Sequence, residues 1–190
     1  MMYPHRLREV RDNLQYLRGY EPGWAGLNPC LNPSLIGKEK DARLCGALDS
    51  LLDMDGALSK FWRKIGSGQV PTHLECLGFL PALSIQQDCI QEIYTALGRG
   101  KIKWPDNLDS IREMRNRISG HPAFAARQTP QGSAMWKADS ITADGFEMII
   151  YFVSGSKHQY IGFRNFIQEN NEGLANLLQA VLDQLIQPEN

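Results

Sequence analysis

The sequence is short of the features that mark most common enzymes. No Walker loop, G-x-G-x-x-G, H-E-x-x-H or G-x-S-x-G pattern occurs in its 190 residues, which excludes many nucleotide-binding, zinc-protease and hydrolase classes on motif grounds. The four cysteines, Cys30, Cys45, Cys76 and Cys89, contain no C-x-x-C pair. They read as free thiols acting as small hydrophobes, not as a disulfide or zinc framework. His73-Leu74-Glu75 matches the first half of a zinc-deaminase signature, but Asp88 precedes Cys89 and no second Cys follows nearby, so the P-C-x-x-C half is missing. No metal and no cofactor is therefore expected. Long apolar runs are also lacking: none approaches the roughly 20 residues of a membrane helix. The charged start, MMYPHRLREVRDNL, has no signal-peptide core. A soluble cytoplasmic protein that avoids membranes is the expectation. Finally, there is no excess of charge. Twenty Lys and Arg stand against 21 Asp and Glu, a net charge of −1, which excludes a generally basic nucleic-acid coat but not a local basic site.

What is present is ordinary globular protein, 43% hydrophobic and 22% charged, long enough to bury a core as one domain over 1–190. From His5 to Arg18, Leu7, Val10, Leu14 and Leu17 recur at helical spacing. Gly, Pro and Asn dominate from Tyr20 to Gly37, so residues 1–38 read as a helix and loop appended to the domain. A second helix is predicted from about Glu39 to Ile65, with Leu44, Leu48, Leu51, Leu52, Leu58, Phe61, Trp62 and Ile65 on its inner side. Gly56 inside it costs about 1 kcal/mol relative to Ala and allows a bend. Thr72 to Leu97 reads as a short helix to Phe79, then a kink or restart at Pro81. Leu83, Ile90, Ile93 and Leu97 carry the stripe of its second part.

Asp106 and Asp109 mark the start of another helix, with Leu108, Ile111, Met114 and Ile118 inward and a stop at Gly120. SAMWKADSI and FEMIIYFV then read as two strands joined through Asp144-Gly145, a β-hairpin inserted at about 133–153. The remainder, to about Gln187, reads as one long amphipathic helix carrying Phe163, Phe166, Ile167, Leu174, Leu178 and Val181 inward. The expected fold is mainly α: an antiparallel four- or five-helix bundle with an inserted β-hairpin.

Charge is unevenly spread. Lys101 to Arg127 carries a net +3 without His121, whereas Asn165 to Asn190 carries −4. Such a contrast suits either a phosphate site or complementary helix packing. Within IREMRNRISGHPAF, Arg112, Arg115 and Ser119 share a helical face, and His121 falls just past the helix end. A His beside permanent guanidinium charge suits acid–base work on a phosphodiester, the His moving protons while an Arg fork neutralises phosphate oxygens. The bland counterpart is a His capping the helix, with Arg115 and Arg117 in surface salt bridges. Trp104, Phe124 and Trp136 lie near this patch, as base-stacking or packing residues.

Arg115, Asn116 and His121 form R-N-x4-H, and in this the stretch resembles the HEPN superfamily of helical-bundle proteins, whose hallmark is R-x4–6-H, often with Asn after the Arg. The resemblance implies a metal-independent ribonuclease site built across a homodimer, as in toxins or defence factors. It implies His121 as the acid–base residue, Arg115 as the phosphate binder and Asn116 as a positioning group. Arg112, Arg117 and Ser119 then serve as neighbouring phosphate or RNA contacts. RNA, a second copy of the chain and a regulatory protein are the partners this implies. The competing expectation is a non-catalytic helical module that docks a protein or nucleotide on the same patch.

Overall fold

The computed structural model describes residues 2–18, 37–119, 134–152 and 155–186. Their order is α1 (Arg6–Arg18), α2 (Lys38–Gly66), α3 (His73–Ala96), α4 (Asp106–Ser119), β1 (Ala134–Trp136), a short 3-10 turn (Ala138–Ser140), β2 (Gly145–Phe152), β3 (Gly155–Gly162) and α5 (Phe163–Ile186). The fold is mainly α with a small antiparallel sheet inserted before the last helix, as the periodicity predicts. No helix among the described residues is long and apolar enough to cross a membrane.

The helix ends follow local chemistry. Thr72 and Glu75 form a reciprocal capping box at the start of α3: the Glu75 N–H donates to Thr72 Oγ1 at 3.2 Å, and the Thr72 N–H donates to Glu75 Oε2 at 2.7 Å. α2 and α3 both close on a glycine with positive φ, Gly68 at 79° and Gly98 at 73°. In each case the next N–H reaches back five residues, Gln69 to the Lys64 carbonyl and Arg99 to that of Tyr94, satisfying a terminal acceptor.

Two expectations about the helices are corrected. α3 runs unbroken through Pro81, with no separate helix to Phe79 and no restart. Proline removes one N–H and crowds the carbonyl four residues earlier, and here that residue, Leu77, is 46% exposed, with room for local adjustment. Leu52, placed on the inner side of α2, is 38% exposed. Leu51 and Leu52 point about 100° apart on a helix, and the core takes Leu48 and Leu51.

The sheet also departs from expectation. Its order is β1-β2-β3, all antiparallel, with Met135 opposite Ile149 and Met148 opposite Gln159. The first expected strand shrinks to three residues because Ser140 turns the chain. Its hydroxyl donates to the Lys137 carbonyl at 2.6 Å and accepts the Glu147 N–H at 2.7 Å. Asp144-Gly145 does end a turn, held by Thr142 Oγ1, which accepts both of their N–H groups at 3.2 Å. Gly145 is obligatory, since a Cβ there would lie 2.0 Å from the Ile161 carbonyl oxygen. The last helix begins only at Phe163, because Gly155–Gly162 is a strand.

The residues group into two compact units, and α2, α3 and α5 each give a part to both. One comprises Met1–Tyr3, Ala57–Ser84 and Pro105–Asn170. Phe163 is its hub: its ring meets Phe61 at 5.0 Å and Phe79 at 5.1 Å edge-on, and Phe146 at 5.7 Å. These contacts tie the sheet to the helices. The second unit comprises Pro4–Gly56, Ile85–Trp104 and Asn171–Asn190. Leu7, Leu14, Leu44, Leu48, Ile90, Ile93, Leu174 and Leu178 are fully buried there. Asn171 Oδ1 accepts the Leu7 N–H at 3.2 Å, satisfying a first-turn donor of α1. Asp55, 1% exposed, pairs with Arg8 at 2.5 Å.

Candidate nucleic-acid site

The helix that carries the Arg-Asn pair starts at Pro105, whose carbonyl accepts the N–H groups of Leu108 and Asp109 at 3.0 and 2.9 Å. Asp106 and Asp109 complement the positive end of its dipole. Leu108, Ile111 and Met114 are buried and fix its rotation about its axis. At about 100° per residue, positions 112, 115, 116 and 119 then share an arc of about 100°, beside the buried stripe. Arg112 and Arg115 are accordingly half-buried and Asn116 is exposed. Half-burial suits arginine, whose aliphatic stem packs against apolar neighbours, and the Nε of Arg115 is itself buried.

Position 117 lies about 160° around the helix from 115, so Arg117 and Arg115 do not share a face. Positions 117 and 119 are helical, but their side chains lie outside the described residues, as does all of His121. Phe124, the expected helix stop at Gly120 and the side chain of Trp136 also lie outside them.

The face of α4 that meets the sheet is different in character. Ser110, Glu113 and Met114 line a cleft of about 100 Å³ with Met148 of β2 and Gln159 of β3. Alternation along a strand sends neighbours of those two residues to the other face of the sheet. There Glu147 gathers two partners from different elements. His158 Nδ1 lies 2.8 Å from Glu147 Oε1, and Lys137 Nζ lies 3.6 Å from Oε2. The hydrogen bond with His158, reinforced by its charge and by Lys137, holds the Glu147 carboxyl below the usual carboxylate value. Tyr160, directly opposite Glu147 in the register, is 58% exposed on this face.

The sequence reading missed this polar cluster because it placed residues 155–162 in a helix. The available signal was the Ser-Gly-Ser run after FEMIIYFV, a turn composition between two stretches able to pair. Among the described residues, no three His, Cys, Asp or Glu side chains gather where they could hold a metal ion. No protein-family model, curated protein or solved structure matches the chain.

Proposed function

We propose that the chain is a metal-independent, RNA-cleaving protein of the HEPN kind, using Arg115 and His121 at a homodimer interface. The observation that supports this most is the arc on α4. A helix whose rotation is set by Leu108, Ile111 and Met114 presents Arg112, Arg115 and Asn116 side by side, and His121 lies two positions beyond Ser119 in the sequence. In this reading a ribose 2′-hydroxyl attacks the adjacent phosphorus and the bond to the 5′-oxygen breaks, leaving a cyclic phosphate and a free 5′-hydroxyl. His121 of one protomer takes the 2′-hydroxyl proton, and the partner's His121 gives one to the leaving oxygen. Arg115 neutralises the phosphate oxygens with its planar fork, and Asn116 and Arg112 orient them. Ser119, on the same arc by helical position, extends the contacts along the RNA. Such an activity suits a cytoplasmic toxin or defence factor held in check by a regulatory protein.

The test is cleavage of RNA by purified protein, with and without EDTA. Cleavage that survives chelation, falls about 10²–10⁴-fold in His121→Ala and is impaired in Arg115→Lys is the expected result. Unchanged cleavage in a folded His121→Ala variant, or a monomer at micromolar concentration that cleaves fully, overturns the reading.

A further inference from the structure

Away from α4, the second half of α2 and the first half of α3 form an antiparallel pair with a groove along it. The register is plain from the contacts. Lys64 faces Glu75 at 2.6 Å, the ring of Phe61 stacks on Phe79 at 5.3 Å, and Ala57 and Ala82 line the far end. The groove exists because three of its wall positions, Ala57, Gly78 and Ala82, are too small to fill it. A Cβ built on Gly78 would meet nothing within 4 Å. The resulting cavity is about 340 Å³, within the range of about 300–1,000 Å³ that small-molecule sites occupy. Its floor is Leu58, Phe61 and Phe79.

The charge at its rim is asymmetric. Glu75 is fully engaged, accepting from the Lys64 ammonium and from both the N–H and hydroxyl of Thr72. Lys60, one helical turn before Lys64, also lines the groove, and no described carboxylate pairs with it. An apolar trough with one closed ion pair and one available ammonium matches a ligand with an apolar body and a single negative end. We propose that this groove binds a small amphiphilic carboxylate, such as a medium-chain fatty acid, with its chain over Phe61 and Phe79 and its carboxylate at Lys60. This inference stands apart from the RNA reading and uses none of its residues.

The experiment is calorimetric titration of the full chain with decanoate, below its micelle concentration, and with decylammonium as the charge-reversed probe. Saturable 1:1 binding of decanoate, with decylammonium weaker, is expected. Gly78→Leu fills the groove from an open position on a helix, where Leu is also the better helix former, so the fold persists. Its melting temperature should equal or exceed that of the wild type, while decanoate affinity falls at least about tenfold, the loss of roughly two buried methylenes' worth of contact. Lys60→Gln should weaken decanoate about two- to fivefold, as a partly exposed ion pair allows. Absence of saturable decanoate binding, equal binding of decylammonium, or undiminished binding in a folded Gly78→Leu variant overturns the proposal. Binding of an acidic amphipathic peptide helix without any of decanoate overturns it too, in favour of a protein partner.

Discussion

Replacing Glu75 by Gln isolates one charge whose surroundings are fully known. The carboxylate receives two hydrogen bonds from Lys64, at 2.6 and 2.7 Å, and two from Thr72, at 2.7 and 2.9 Å. The Lys64 hydrogen bond contributes most, the Thr72 N–H next, and together they lower the carboxyl from 4.5 to about 2. Taken at face value such a displacement is worth about 3 kcal/mol. The side chain is 36% accessible, however, and solvent screens the ion pair. A surface pair contributes about 1 kcal/mol at most, and Gln keeps a carbonyl oxygen for the capping box, so about 1 kcal/mol is the expected loss in Glu75→Gln at pH 7.

The pH dependence follows from the sign of that displacement. A carboxyl lowered by folding contributes its full stability above pH 4.5 and loses it as the pH falls toward about 2. Wild type and Glu75→Gln should therefore differ by about 1 kcal/mol near neutrality and converge as the pH falls. Urea denaturation of both proteins at pH 7, 4 and 2.5 measures this. A gap at pH 2.5 as large as that at pH 7, or none at pH 7, refutes the reasoning.

Phe163→Ala should cost about 3–5 kcal/mol in the same assay, because that ring bridges α2, α3 and β2. Gly145→Ala should cost more than about 2 kcal/mol, since its Cβ would collide with the Ile161 backbone and a strand must shift. Burial pushes the Cys76 and Cys89 thiols up to about 11. Both should therefore resist alkylation at pH 8 in the native protein and react promptly in urea, as mass spectrometry would show.

The helices were legible because each carries a strong local period. Leu7, Val10 and Leu14 in α1, or Leu108, Ile111 and Met114 in α4, announce a buried face and are buried. α3 was harder, since Leu74 and Leu77 are exposed opposite a buried Cys76, Phe79 and Leu80. A helix apolar on both sides has no sharp stripe to read, and its proline then looked like a boundary. β3 was hidden for the opposite reason. Of Gly155–Gly162 only Ile161 is buried, and an edge strand exposes the polar residues that elsewhere signal loop or helix surface.

The same contrast governs the two polar groupings. Arg112, Arg115 and Asn116 lie within five residues on one helix, so helical geometry and a buried stripe suffice to place them together. Glu147 and His158 are eleven residues apart on strands paired so that Glu147 faces Tyr160 and His158 faces Ile149. Only the hairpin register makes them diagonal neighbours on one face, and a slip of one residue would send His158 to the face that meets α4. Lys137 joins them from a third segment because Ser140 turns the chain back toward Glu147. Such a cluster cannot be found by spacing. It becomes visible only with Gly155–Gly162 paired as a strand against β2.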